Sequence, residues 1–321
     1  MGFVIYQNSF CSRFGMGFQI NRGIDCSARV EPSTLRRRVL RKVDNELAKG
    51  NTKGALTLVK QLQGKPGGLR GFGAAKQVPY RHYTLDGLNL NETEIASFQT
   101  VVDSTLDSVE RSLQFAALDM ASSAEEMETL MLDRTDPTPS EKYHNMCKQH
   151  EAGHFLIAYL IGILPKGYII PRMEDMEDES VGGRVDLIGF EFLNSVSTKT
   201  FPKIKAGSGK VCATVNRAKV SNKNLNTFSC VALAGLAAEC LVFGYSEGSF
   251  CDVEKLDELL KWLGYTETEA KSQVRWAVLN NTLILRRHLN ARSKLADAMA
   301  LGKSIGFCID TIENALDGKE I

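Results

Sequence analysis

An H-E-x-x-H pattern inside an apolar, helix-forming stretch constrains this chain more than any other feature. The stretch 138–161 opens with T-P-S-E, an order typical of a helix start, and becomes strongly apolar in its second half. His150 and His154 are four residues apart, so on a helix both imidazoles lie on one face and can reach one metal ion. The pattern therefore predicts a helix built around a metal site.

The residues around the motif leave the remaining metal ligand open. Glu151 lies beside the two histidines, where it is placed to take a proton from a metal-bound water. Zinc in such a site needs a third protein ligand and keeps one position open for water. Position 160, where metzincins have a third histidine, is Leu160, which excludes that class. The carboxylates that could serve are Glu174, Asp175, Glu177, Asp178 and Glu179 in an acidic loop, and Asp252 after a later turn.

Ordinary structural roles are the alternative for every residue near the motif. Two histidines on a helix can be core or surface residues, but here a start signal, a helix and an apolar continuation agree. We expect His144 and His288 to be structural or exposed. Cys147, one turn before the motif, and Cys251 lie closer to the predicted site, but single buried thiols are the commoner case.

The charges of the chain are segregated along the sequence. Lys and Arg number 39 against 38 Asp and Glu. Residues 31–90 carry twelve basic and four acidic side chains, whereas residues 91–141 carry two and twelve. Opposite runs of this kind are typical of solvated helical faces. Because no aromatic-interleaved or zinc-knuckle pattern accompanies the basic run, we expect no nucleic-acid partner.

The apolar runs and the cysteines bear on the class of protein. The longest apolar run, residues 155–164, holds ten residues, whereas a bilayer-spanning helix needs about 20. We therefore predict no transmembrane segment and leave peripheral membrane contact open. The eight cysteines include no C-x-x-C pair, which favours reduced thiols in a reducing compartment.

Residues 1–30 have the composition of an organellar transit peptide. They contain three arginines, several serines and asparagines, and Asp25 as their only acid, without the apolar core of a secretory signal. A merely floppy N-terminus is the alternative. In either case these residues stand outside the fold.

The remaining sequence predicts a mainly helical fold. Its parts are a basic helical hairpin at 31–64, a glycine-rich linker at 65–91, acidic amphipathic helices at 92–139 and a larger domain at 140–321. Within the larger domain we predict helices at 227–243, 253–263, 266–301 and 303–316, each bounded by cap or glycine signals. Alternating residues at 183–192 predict a small β-hairpin or sheet insertion.

Three blocks of the sequence resemble the peptidase domain of FtsH-type ATP-dependent zinc metalloproteases. They are H-E-A-G-H at 150–154 with its apolar tail, I-I-P-R at 169–172, which matches a strand, and L-A-G-L-A-A-E-C-L-V-F-G at 233–244. The last block is similar to the family's L-G-G-R-A-A-E-E-L-V-F-G helix. There the family continues with a glycine-containing turn and an aspartate that supplies the third zinc ligand, which corresponds to Asp252. A plain helix N-cap is the other role that this aspartate could fill.

The chain also departs from that family. Residues 31–139 are too short for its ATPase module, the G-S-G-K at 207–210 lacks the upstream glycine of a P-loop, and the family's membrane helices are missing. Cys240 replaces the second glutamate of the third block. Residues 172–226 form a longer insertion, with the acidic loop followed by a basic run. A chain of this kind with a transit-like leader is similar to the FtsH-related plastid proteins of plants.

The resemblance implies a zinc-dependent metallopeptidase without its own ATPase. His150, His154 and Asp252 would bind Zn²⁺, and Glu151 would act as general base and then general acid. The implied location is the chloroplast, with the mitochondrion as alternative. The implied partners are a protein or peptide substrate and a separate ATPase or membrane-bound FtsH-type protein. The alternative function is a catalytically silent, zinc-containing scaffold or assembly factor in the plastid.

Overall fold

The computed structural model of the chain describes residues 32–75, 92–119, 140–172, 174, 182–190, 193, 220–247 and 250–316. These residues are mainly helical and include one two-stranded antiparallel sheet, as the sequence predicts. In chain order the elements are α1 (Pro32–Ala48), α2 (Thr52–Leu62), α3 (Glu92–Asp119), α4 (Ser140–Ile161), β1 (Pro165–Ile169), β2 (Arg184–Leu187), α5 (Asn222–Ala232), α6 (Ala234–Phe243), α7 (Phe250–Leu263), α8 (Glu267–Arg287), α9 (Leu289–Ala300) and α10 (Ile305–Ala315). The predicted transit peptide at 1–30, the part of the predicted acidic helices at 120–139 and the G-S-G-K at 207–210 lie outside the described residues.

Helix α4, which carries the H-E-x-x-H motif, lies at the centre of the fold. Every residue from Gln149 to Leu160 is buried, and helices α5, α6 and α9 pack around it. A helix that is covered on all sides belongs to a core rather than to a surface. The two histidines of the motif are therefore presented inside the protein.

A glycine allows α4 and α6 to cross closely. A side chain on Gly153 would place its Cβ 2.7 Å from the Ala234 carbonyl oxygen and 2.7 Å from the Ala238 Cβ. Because these separations are well below van der Waals contact, only glycine fits at this crossing. The close approach brings the third sequence block, on α6, directly beside the motif.

The small sheet follows α4 and returns towards it. Helix α4 ends at Ile161 and is followed by Gly162, whose φ of 89° favours glycine; β1 begins three residues after Gly162. Strand β2 pairs antiparallel with β1, and Ile169 lies opposite Arg184. The alternating residues at 183–192 thus predicted a strand correctly. Among the described residues, this strand pairs with β1 and not with a second strand of the same segment. The strand expected at 169–172 ends at Ile169, two residues before Pro171, which has no N–H for a ladder.

The segment predicted as a glycine-rich linker begins with a packed turn. Leu69 and Phe72 are buried in the core. The backbone N–H groups of Gly73 and Ala75 donate to carbonyls in the last turn of α4 at 3.1 and 2.9 Å. Carbonyls at a helix end have no partner within the helix, so this turn completes the C-terminus of α4. Residues 76–91 lie outside the described part of the chain.

A buried carboxylate joins this turn to both α4 and the last helix. Glu313 of α10 accepts hydrogen bonds from Arg70 N at 2.8 Å and Gly71 N at 2.7 Å. It also accepts one from the Tyr159 hydroxyl of α4 at 2.6 Å. The N-terminal part of the chain is thus fastened to the helix that carries the motif.

Helix α1 is anchored on α10 by polar contacts near both of its ends. Near its start, Arg36 Nε donates to Asp310 Oδ1 at 2.6 Å. Near its end, the carboxylate of Asp44 accepts from Gly306 N at 2.6 Å and from Ser304 Oγ at 2.7 Å. Asp44 therefore satisfies a free N–H group at the N-terminus of α10 from another helix.

Two helices that the sequence predicts as continuous are divided in the structure. The first is interrupted at Leu233, between α5 and α6, and the second at His288, between α8 and α9. Neither residue is a glycine or a proline, so the sequence carries no local signal for these breaks. The predicted stops at Gly244 and Gly264 are confirmed, with φ of 80° and 83°.

One stretch of the described residues, Asn222–Phe243, is long and apolar enough to cross a membrane. In the structure this stretch is mostly buried inside the protein. A core helix is apolar for the same reason, because its surroundings are apolar. The absence of a transmembrane segment stays a prediction from the sequence.

Candidate metal centre

The two histidines of the motif converge on one point. His150 and His154 occupy successive turns of α4, and their Nε2 atoms lie 2.9 Å apart. Both side chains are buried. The sequence prediction that the i, i+4 spacing directs both imidazoles to one site is therefore confirmed.

Asp252 completes a group of three ligand atoms with them. Its Oδ2 lies 3.4 Å from His150 Nε2 and 3.2 Å from His154 Nε2. The three ligand atoms lie within 4.8 Å of one another, so this group could hold a metal ion. Ligand atoms bound at 2.0–2.1 Å around a tetrahedral ion are separated by roughly 3.3 Å, close to the spacing seen here.

Asp252 reaches the histidines from the first turn of α7. That helix begins at Phe250, so Asp252 is a helical residue rather than the N-cap considered as an alternative. The helix start places its carboxylate against residues about 100 positions earlier in the sequence. Lys255 Nζ lies 3.8 Å from Asp252 Oδ1, the oxygen that does not face the histidines.

Both histidines are oriented through their second ring nitrogen. His154 Nδ1 lies 2.7 Å from the Val231 carbonyl oxygen, and His150 Nδ1 lies 2.6 Å from Glu239 Oε1. A carbonyl can only accept, so Nδ1 of His154 carries a proton and Nε2 is the ring nitrogen directed at the group. Such outer partners are typical of metal-binding histidines.

Glu239 is a site residue whose role the sequence analysis missed. It lies in the third block, on α6, and is itself held by Ser246 Oγ at 2.6 Å and by Glu247 N at 3.2 Å. The close crossing of α4 and α6 brings it to His150. Its place in a block that resembles a zinc-protease helix was the available signal, but the block does not show which side chain faces the motif.

Glu151 lies beside the three ligand residues without joining them. Its side chain is buried, with only 5% of the residue exposed. Its Oε2 has no hydrogen-bond partner among the described residues. A buried carboxylate oxygen without a partner is free to accept a proton or a hydrogen bond from a molecule that enters the site.

Burial and mutual contacts shift the pKa values of the group. Burial alone would lower the pKa of His150, but its hydrogen bonds to Asp252 and Glu239 outweigh burial and raise that pKa well above its ordinary value. Burial alone would raise the pKa of Asp252, yet the charge of His154 and the hydrogen bond with His150 hold it well below. Burial raises the pKa of Glu151. The site thus combines an ionised carboxylate that suits a cation with a second one that is a stronger base than usual.

The other residues considered from the sequence do not join this group in the described structure. Glu174 is exposed, and the remaining acids of the 175–179 loop lie outside the described residues. His288 is buried elsewhere, at the break between α8 and α9. Cys147 is half-buried and Cys251 is exposed. Burial raises the pKa of the Cys147 thiol to about 11.

Comparisons of the chain with protein-family models, with curated proteins and with solved structures found no match. Proposals about its function therefore rest on the chemistry of this site and on the three sequence blocks.

Proposed function

We propose that the chain is a zinc-dependent metallopeptidase, similar to the FtsH peptidase domain. The observation that carries this proposal is the convergence of His150, His154 and Asp252 with Glu151 alongside. Two imidazoles, one carboxylate and a neighbouring free carboxylate are the groups that metal-assisted peptide hydrolysis requires.

Zinc is the ion that this donor set favours. Two imidazole nitrogens and one carboxylate oxygen are the protein ligands of many catalytic zinc sites, and three ligands leave one position open. The orphaned Oε2 of Glu151 supports a site that receives a further molecule. Hard cations such as Mg²⁺ would favour an all-oxygen site instead.

The residues of the chain divide the chemistry between them. Zinc, when bound, supplies Lewis acidity and lowers the pKa of water towards about 7. Glu151 takes the proton of the attacking water and passes it to the leaving amine, for which its raised pKa suits it. Glu239 and the Val231 carbonyl keep the two imidazoles oriented. Burial of the group excludes bulk water from competing with these contacts.

The test is zinc content and peptide cleavage for the wild type and Glu151→Gln. We expect the variant to keep its zinc, because Glu151 is not a ligand, and to lose about 100-fold or more of its cleavage rate, as removal of a general base does. Glu141→Gln, at an exposed position of the same helix, is the matched control. Zinc retained with unchanged cleavage would refute the catalytic assignment.

A silent zinc scaffold is the second candidate, and the burial of the group favours it. His150, Glu151 and His154 are only 5–7% exposed, which also suits a structural metal site closed to substrate. In that case Glu151→Gln would support normal function in the organism, whereas surface changes in residues 33–64 would not. Loss of function in Glu151→Gln, with normal function after the surface changes in residues 33–64, would favour the peptidase.

Substrate, partners and location follow the resemblance to the FtsH-type family and are part of the proposal. The proposed substrates are flexible protein segments or peptides. A folded substrate would need a separate ATPase or membrane-bound FtsH-type protein to unfold it. The composition of residues 1–30 supports the chloroplast, with the mitochondrion as alternative. Co-purification of an ATPase from native extracts would support a separate ATPase partner, and a monomeric profile there would count against it.

A further inference from the structure

Strand β2 brings a glycine back onto the motif. Gly183 directly precedes β2, whose first residue, Arg184, pairs with Ile169 of β1. The end of β2 is held as well, because Ile188 N donates to the Leu164 carbonyl at 3.1 Å. Since β1 follows α4 after the turn at Gly162, the position of Gly183 is set by the ladder and by the end of the motif helix.

The missing side chain of Gly183 leaves room for the Glu151 side chain. A Cβ at Gly183 would lie 2.6 Å from Glu151 Oε1, 2.9 Å from its Cγ and 3.1 Å from its Cδ. These are the three nearest atoms, and all belong to the end of a side chain rather than to backbone. An added methyl group would therefore move the carboxylate while leaving the fold in place.

We propose that Gly183 is a positioning residue for Glu151, a role that rests on the proposed peptidase function. The Glu151 carboxylate occupies the space that a side chain at Gly183 would fill, and its Oε2, which has no hydrogen-bond partner among the described residues, is available to the attacking water. A side chain at this position would displace the general base from the reacting atoms. A misplacement of about 1 Å is enough to lower a rate by about 100-fold.

Variants at two other glycines distinguish the positioning of Glu151 from a general effect on the loop or on zinc binding. No atom of the described residues lies within 4 Å of the position of a Cβ at Gly182, the preceding residue, so Gly182→Ala is a matched control on the same loop. Gly235 of α6 packs directly against the His150 ring, and a Cβ there would overlap the imidazole itself. Gly235→Ala is therefore expected to lower zinc affinity, whereas Gly183→Ala is not.

The experiment compares the wild type, Gly183→Ala, Gly182→Ala and Gly235→Ala as zinc-loaded full chains. For Gly183→Ala we expect zinc affinity within about twofold of the wild type, kcat lower by about 10- to 100-fold and KM within about threefold, because only the reacting geometry changes. Gly182→Ala should match the wild type in zinc affinity, kcat and KM. Loss of zinc or of folding in Gly183→Ala would overturn the proposal, since the clash would then involve more than Glu151.

A second readout does not need peptide cleavage. Acetohydroxamic acid binds zinc as its anion and delivers a proton to a neighbouring carboxylate, so calorimetry of its binding reports the position of Glu151. We expect Gly183→Ala to weaken this binding by about tenfold, and to have no further effect in a Glu151→Gln background, because coupled residues are not additive. An equal loss in both backgrounds, or no loss in either, would overturn the proposal. If the wild type cleaves no peptide but this pattern holds, the peptidase proposal fails and the role of Gly183 stands.

Discussion

At the scale of single residues, Glu239 fixes the orientation of one histidine of the candidate metal site. Its carboxylate lies 2.6 Å from His150 Nδ1 and is fixed in turn by Ser246. Burial alone would raise the pKa of Glu239, but the hydrogen bond with His150 outweighs it and lowers that pKa. An ionised Glu239 increases the electron density on the imidazole and holds the ring in place.

We predict that Glu239→Gln weakens zinc binding by about 10- to 100-fold, the usual effect of removing an outer partner of a metal-binding histidine. A competition titration against a chromophoric chelator at constant pH measures the change. Glu110→Gln removes the same charge at an exposed position of α3 and should leave the affinity unchanged. Equal affinities for Glu239→Gln and the wild type would show that Glu239 contributes only to packing.

The sequence predicted some of these residues and missed others for identifiable reasons. His150, Glu151 and His154 are adjacent on one helix, so helical spacing alone places them together. Asp252 is about 100 residues away, and residue chemistry left it among several carboxylates until the family resemblance singled it out. Glu239 and Gly183 act through contacts that exist only once α6 and β2 have packed against α4, and no local pattern encodes such contacts.

At the scale of elements, short-range signals predicted where most helices lie but not how they are divided. Glycines end α6 and α7 as predicted, because a left-handed residue at a helix end favours glycine. The breaks at Leu233 and His288 carry no such signal. They arise where consecutive helices turn to follow the core, and tertiary packing overrides local helix preference there.

The anchor between α1 and α10 yields a prediction at this scale. Asp44→Ala removes the carboxylate that accepts from Gly306 N and Ser304 Oγ at the start of α10. We expect the free energy of unfolding to fall by roughly 1–2 kcal/mol, as for loss of a helix cap. Urea unfolding followed by circular dichroism measures this change. As a control, Asp103→Ala removes an exposed carboxylate from α3 and should change the free energy of unfolding by less than about 0.5 kcal/mol. An equal loss of stability in the two variants would contradict the capping role of Asp44.

At the scale of the whole molecule, the N-terminal helices are part of the core that surrounds the motif. Buried side chains of α1 and α2 join the same hydrophobic cluster as those of α4 and α10; they are Leu40, Val43, Ala55, Val59 and Leu62. The sequence analysis separated residues 31–64 from the larger domain because their charge and the following glycines differ from the rest. Composition does not show which distant helices share a core.

We therefore predict that the fold does not survive loss of α1 and α2. A buried aliphatic side chain contributes roughly 1.5–3 kcal/mol, so the loss of several approaches the total stability of about 5–15 kcal/mol of a typical domain. A chain beginning at residue 64 should lose its cooperative thermal transition, measured by far-ultraviolet circular dichroism. A chain beginning at residue 32 keeps both helices and is the control. An unchanged transition in the shorter chain would show that the two helices are dispensable.

The contact between α1 and α10 also sets an order of events during synthesis. Arg36 and Asp310 are separated by 274 residues. At about 5–20 residues per second, a ribosome needs on the order of 14–55 s to add them. During that time the part of α1 that packs on α10 faces water or a chaperone, because α10 has not yet been made.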